Sequence, residues 1–379
     1  MTTRPAPHAP SEDERLLLRA ALLDGDDALD AWERTKHVAD DVKRLDRATY
    51  RLLPLLYRNL ERLGVDDPLM GTLKGVYRHS WYCNQRLFHE AAEAIAALEG
   101  GGVQTMVIKG AALSALHYRD PGARPMEDLD IVVRKDRARD AMRVLEEAGW
   151  RSDHPSPIEL RMRVEHSTEL VDTNGREADL HWNPLFEHVP ENGFWERSVP
   201  VSIGEEPTRA LSPTDELFCT IVHGLGWYPA PIGWISDSVT IARAAAIDWD
   251  ALAERAERWS LTARLETGVS LLTDDFAVAV PEGVLARLRS APKHRPERAA
   301  HRALLRGQRR GLPVALHWDR YHRMRALGAT EARGGLPGYM RDAILWGSWL
   351  TPARLVAWRA RPALARLTAR NGRAVSRTA

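Results

Sequence analysis

Near the middle of the chain, Thr173-Asn174-Gly175 separates two runs, residues 166–172 and 176–182, that both read as strands. Asn-Gly accepts the positive backbone angles of a tight turn, so this stretch predicts a β-hairpin. Residues 103–108 (VQTMVI) and 129–134 (LDIVVR) read as further strands. Between them, residues 111–118 read as a short helix, and 119–125 (RDPGARP) as a turn-rich loop. Asp136 is placed to cap a helix that Gly149 closes. The middle of the chain therefore predicts a small α+β unit on a mixed, mostly antiparallel sheet.

The flanks read differently. Leu16, Leu17, Ala20 and Leu23 recur at the spacing of one helix face, as do Leu52, Leu53, Leu56, Leu60 and Leu63 before Gly64. A long helix is expected over residues 73–98, stopping at Gly100-Gly101-Gly102. Helices return after Pro213, over residues 214–224, 235–246 and, behind an Asp248 cap, 249–259. At ~150 residues per domain, 379 residues make room for two or three units. The expected order is a disordered Pro-rich start (1–11), an N-terminal helical region (12–100), the α+β core (101–210), a helical domain (211–285) and a basic helical C-terminal region (286–379).

Charge is uneven. The chain carries a net +1, but residues 285–379 alone carry +17, leaving −16 for the rest. A basic region can serve nucleic acid or an anionic surface. Here Trp, Leu and Ala interleave the arginines, as over residues 353–367, which favours packing on the acidic remainder. Trp346, Trp349 and Trp358 sit among those arginines and would also suit an anionic membrane surface. Two cysteines, Cys83 and Cys219, supply neither a disulfide framework nor a zinc site. No apolar run approaches the ~18 residues of a membrane span, and the first residues lack the apolar centre of a signal peptide, so the cytoplasm is the expected location.

The chemistry concentrates in the core. Asp128 and Asp130 are two apart at the start of a strand, so their carboxylates share a face and repel. A divalent cation such as Mg²⁺ relieves that repulsion with hard oxygen ligands. Asp179, in the second arm of the hairpin, faces the pair if that arm lies beside residues 129–134, completing a two-metal clamp suited to displacement at phosphorus. Lys109-Gly110 ends the first strand and opens a helix, where free amides, close backbone approach and a point charge suit phosphate; Lys109 is one of six lysines. Arg124, in the loop before the acidic pair, offers a fork for phosphate. His181 shares the face of Asp179 and either orients a ligand or is a satisfied core histidine. His223 and Asp237 lack the adjacent His-Asp pair of a metal phosphohydrolase and read as helix-packing residues or pocket walls. Each signal alone has an ordinary structural explanation; their order is the informative part.

That order, MVIKGAALSALHYRDPGARPMEDLDIVV followed by Asp179-Leu180-His181-Trp182, resembles the bacterial uncharacterised nucleotidyltransferase-like family of the polymerase-β superfamily. The resemblance covers roughly residues 45–285. It implies that Asp128 and Asp130 hold Mg²⁺, with Mn²⁺ able to serve, and that Asp179 binds one metal and helps deprotonate an attacking hydroxyl. Lys109, Gly110 and Arg124 would steady the triphosphate of an NTP. The wider superfamily usually has Gly-Ser after the first strand; here Gly110-Ala111 stands there, and the nearest serine is Ser114. The implied reaction moves a nucleoside monophosphate to a hydroxyl-type acceptor on a small molecule, peptide or protein and releases pyrophosphate. Two other readings are a catalytically lapsed nucleotide-binding or scaffold module, and an RNA-directed enzyme using the basic C-terminal region, which has no clear stacking motif for RNA.

Overall fold

The computed structural model describes residues 9–346, apart from 41, 153, 155, 191, 228–230, 308–311 and 333–334. Residues 1–8 of the expected disordered start, and the Trp349, Trp358 and 353–367 segment, lie outside the described residues.

Four helices open the chain: α1 (Glu12–Leu22), α2 (Gly25–Thr35), α3 (Arg47–Arg62) and the long α4 (Met70–Gly100). Ser11 caps α1 reciprocally with Glu14, at 3.2 Å to the Glu14 amide and 2.7 Å back from the Glu14 carboxylate. Asp46 caps α3 by accepting from the Ala48 and Thr49 amides, and Gly64 closes it at φ +71°.

The core follows. Its elements are β1 (Thr105–Val107), α5 (Lys109–Leu113) with a π turn (Ser114–Tyr118), β2 (Leu129–Val133), α6 (Ala138–Glu147), α7 (Ile158–Arg161), β3 (Ser167–Val171), β4 (Glu177–His181), α8 (Asn192–Arg197), β5 (Val199–Ile203) and β6 (Glu206–Ala210). The strands form one sheet in the order β3-β4-β2-β1-β6-β5. Three pairings are antiparallel, but β2–β4 and β1–β6 are parallel. The sheet is thus mixed within an α+β fold. The β3–β4 hairpin turns on Gly175 at φ +77°, as Asn-Gly predicts. A second hairpin, β5–β6, turns on Gly204-Glu205 and was not expected from the sequence. Asp136 does not cap a helix: it lies in a 3₁₀ turn, and Arg137, without a side-chain cap bond, precedes α6.

The remaining helices are α9 (Pro213–Gly224), α10 (Gly233–Ala244), α11 (Trp249–Arg258), α12 (Thr262–Phe276), α13 (Glu282–Ser290), α14 (Arg295–Leu305), α15 (Leu312–Ala326) and α16 (Gly335–Trp346). One apolar core unites α9 to α13 with the start of the chain: Leu17, Trp32 and Leu56 belong to the same cluster as Phe218, Val239 and Phe276, while α14 to α16 pack in two smaller clusters around Leu304 and around Tyr321 and Tyr339. Asn59 ties α3 to the C-terminal end of α1, donating to the Ala20 and Leu23 carbonyls at 2.8 Å each. A second cluster fills the sheet with Val107, Ile131, Leu180 and Ile95 of α4. Met106, Ile108 and Val132 belong instead to the helical cluster, so the sheet lies between the two cores.

Helices α9 and α10 touch closely at Gly224, where an added Cβ would come within 2.2–2.6 Å of Trp234. Replacing Gly224 with Ala should therefore cost about 1–3 kcal/mol, read as a lower melting temperature; an unchanged value would show that the two helices slide apart freely.

The described part of the basic region is divided: Arg289, Arg295, Arg298, Arg302, Arg306 and Arg325 are exposed, while other cations are paired or buried. Arg287 forks onto Glu257 at 2.7 and 2.9 Å, and Lys293 pairs with Glu266 at 3.1 Å. Arg323 donates to the Trp259 and Ser260 carbonyls and to Asp319. Arg320 donates to the Val164 and Glu165 carbonyls. Among the described residues no helix is long and apolar enough to cross a membrane.

Candidate functional site

Strand β1 delivers the chain to Lys109, whose backbone is left-handed at φ +51°. A non-glycine residue held there stores roughly 1–3 kcal/mol of strain. The bend turns the chain into α5 and carries the ammonium back over the sheet. Lys109 Nζ lies 2.6 Å from Asp130 Oδ1. Asp130 is on β2, directly opposite Asp179 of the parallel β4. The same Asp130 oxygen is 2.9 Å from Nε2 of His181, and that nitrogen is 3.9 Å from Asp179 Oδ2. Thus the expected placement of the hairpin arm beside β2 is realised, in parallel register.

The charges balance across this group. Burial favours the neutral acid at Asp130, but Lys109 and His181 overcome it and hold its carboxyl well below the usual range. Burial also opposes charge on Lys109, and Asp130 outweighs it, raising the ammonium. Asp179 is raised, first by burial and also by the Asp130 charge. Asp128 stands at the exposed rim, within reach of the Asp130 and Asp179 charges. The water it loses and the Asp130 charge raise its carboxyl. The atoms that converge to within 4.8 Å belong to Asp130, Asp179 and His181; Asp128 lies outside this group.

Three expected phosphate contacts are placed differently. Gly110 is buried, and a Cβ there would stand 3.0–3.1 Å from Arg124 and Met126. Its smallness serves the packing of the 119–126 loop. Ser114 is 2% exposed within the π turn, so its hydroxyl does not reach a cleft. The fork of Arg124 is engaged by Asp237 of α10, Nε to Oδ1 and Nη2 to Oδ2, both at 2.8 Å. Tyr118 donates to the same Asp237 oxygen at 2.8 Å. Arg124 therefore anchors the loop that leads to Asp128. Helix α4 secures that loop as well: Asn84 donates to the Arg124 carbonyl at 2.7 Å and accepts from the Met126 amide at 3.0 Å.

Two further histidines flank the group. His166 meets His181 edge-on, with ring centroids 5.3 Å apart. His223, on α9, feels the Lys109 and Asp130 charges; burial, then Lys109, push it down to about 3. The exposed Trp227 donates to its Nε2 at 3.2 Å. The His223 and Trp227 spacing of one helical turn is visible in the sequence. Nothing local links Arg124 to Asp237, or Asn84 to the loop.

A sequence model of a family described as uncharacterised nucleotidyltransferase matches residues 45–276. The chain belongs to this family. Nucleotidyl transfer is the general activity that membership supports. Among solved structures, the chain is similar to a crystal structure of an antigenic nucleotidyltransferase-like protein from Paracoccidioides brasiliensis. The identity is 15%, over 55% of this chain and 94% of that one, with a TM-score of 0.34. No curated protein matches the chain. Nucleotidyltransferases usually use divalent metals. The donor set here fits one, because two carboxylate oxygens and an imidazole nitrogen converge where an ammonium already sits.

Proposed function

We propose that the chain is a Mg²⁺-dependent nucleotidyltransferase, with Mn²⁺ able to serve, that moves a nucleoside monophosphate from an NTP to a hydroxyl-type acceptor on a small molecule, peptide or protein. The observation that carries this reading is the register pairing of Asp130 with Asp179, with the Lys109 ammonium on Asp130. In the reaction the acceptor oxygen bonds to the α-phosphorus as the bond to pyrophosphate breaks. A bound divalent cation neutralises phosphate charge and makes the acceptor hydroxyl more acidic. Asp130 and Asp179 would hold it, with Asp128 at the rim of the same cleft adding negative charge. Asp179, the more open of the paired carboxylates, takes the acceptor proton. Lys109, with its side chain 30% exposed, turns from Asp130 to the triphosphate. Arg124 acts through the loop it anchors, and neither Gly110 nor Ser114 is given a phosphate.

The test is to incubate the chain with each labelled NTP, Mg²⁺ and an extract of the producing cells. One labelled species should appear, and it should be absent with Asp130→Asn. No labelling with any NTP would favour the lapsed, nucleotide-binding module instead. Two unpaired cysteines suit a reducing compartment such as the cytoplasm.

We assign the basic region to packing, supported by the buried Arg320 and Arg323 of α15 and by the Arg287–Glu257 pair between α13 and α11. The intact protein should then show little RNA affinity near ~0.15 M salt, and removing residues 286–379 should lower its melting temperature. Tight binding that falls by ~0.7–0.9 log units per log unit of salt for each phosphate neutralised, and is lost on truncation without loss of stability, would overturn this assignment.

A further inference from the structure

We infer that His181 is itself a metal ligand, through Nε2, and that the site therefore takes a first-row transition-metal ion in preference to Mg²⁺. The inference rests on reading Asp130 and Asp179 as the metal cradle, and decides between the two cations that reading allows. An ion bonded at ~2.1 Å sets neighbouring ligand atoms ~3 Å apart and opposed ones ~4 Å apart. His181 Nε2 lies 2.9 Å from Asp130 Oδ1 and 3.9 Å from Asp179 Oδ2. One ion spans both separations.

The two groups now resting on Asp130 Oδ1 differ in freedom. The Lys109 side chain is 30% exposed and can turn to water or to phosphate; that of His181 is 0% exposed, in strand β4 and against the edge of His166. A cation that replaces the ammonium therefore lies against Nε2. A proton on that nitrogen would point at the cation and repel it, whereas the bare lone pair would bond to it. While no cation is bound, the Asp130 carboxylate, which can only accept, holds a proton on Nε2; a cation on that oxygen displaces it, and since Nδ1 meets no acceptor among the described residues, the metal bond itself has to drive the shift. The neutral ring can carry its proton on Nδ1 instead. Mg²⁺ prefers an all-oxygen shell that keeps several waters. Imidazole nitrogen suits the first-row transition ions, and the two carboxylates admit Mn²⁺ among them.

Mn²⁺ is the probe. It should be titrated into the full chain without nucleotide, followed by electron paramagnetic resonance of the free ion and by electron spin-echo modulation of the bound one. The wild type should bind Mn²⁺ with the modulation of a directly bonded imidazole nitrogen, and Mg²⁺ should compete only at ~10-fold or greater excess. His181→Asn should lose that modulation and weaken Mn²⁺ binding by at least the ~10–100-fold that loss of even a ligand's outer partner costs. Asp130→Asn should remove the bound signal. Mn²⁺ bound in an Asp130-dependent way without nitrogen modulation, or with modulation that survives His181→Asn, would overturn the role of His181 and leave the metal cradle standing. Equal affinity for Mg²⁺ would overturn the preference. No Asp130-dependent binding would overturn the inference and the cradle together. The wild-type modulation decides the matter even if His181→Asn does not fold.

Discussion

Asp130→Asn should lower nucleotidyl transfer by about 10³-fold or more, the equivalent of about 4 kcal/mol of transition-state stabilisation. Asp130 is the one side chain that Lys109, His181 and the opposing Asp179 all address. Asparagine keeps its shape and an acceptor for both donors, so the fold should persist, and the exposed part of Lys109 lets its ammonium find water. The rim carboxylate makes the informative comparison. Asp128→Asn removes a group with no ligand atom in the convergent set and should cost less than Asp130→Asn. Initial rates with the labelled NTP, beside circular dichroism of each variant, measure both. Full activity in Asp130→Asn would sink the proposed chemistry.

The largest effect on stability is expected at Asp237. Its two oxygens hold the Arg124 fork, and both side chains are largely buried, with exposures of 15% and 10%. Asp237→Ala leaves a guanidinium in the interior without its countercharge and leaves the Tyr118 hydroxyl without its acceptor. Breaking one side of such a pair costs about 3–5 kcal/mol. It should appear as a lower urea midpoint at unchanged slope. Transfer should fall too, because the loop that Arg124 anchors leads to Asp128. A midpoint equal to that of the wild type would mean that water already solvates the pair.

The contrast between these two residues explains what the sequence discloses. Asp130 announces itself through its neighbour Asp128 and the period of a strand, and the Asn174-Gly175 turn brings Asp179 into view. Asp248 declares a helix start because a cap acts within three residues, although Asp136, read by the same rule, does not cap. The α+β class and the resemblance of the 109–130 block follow from signals of the same short reach. Arg124 has no such neighbour. Its partner lies 113 residues away on α10, where Trp234 to Val239 are all buried and nothing in the local pattern points to Arg124. Ser114 looked available because it is polar and close to Gly110, but the π turn and the helices over it bury it. The β5–β6 hairpin is hard to read locally because Pro200 and Pro207 interrupt its two runs, although Val199, Val201 and Ile203 alternate. The union of α1 to α3 with α9 to α12 escaped because packing between distant helices leaves no local mark.

The parallel pairing of β2 with β4 also sets when the site comes into being. Asp130 and His181 are 51 residues apart, and a parallel pair can be joined only by a crossover, so loop-closure entropy must be met before any of their contacts form. Arg124 waits longer still, for a helix 113 residues downstream. Contacts of such long range slow folding, and those made last are absent from the early collapsed chain. A nascent chain that has emerged only as far as β4 already holds Lys109, Asp130, Asp179 and His181, yet its 119–126 loop lacks the Asp237 anchor. In the folded chain Lys109 offsets the repulsion between the Asp130 and Asp179 carboxylates, and the wall that Asp237 anchors is built from sequence that follows both of them.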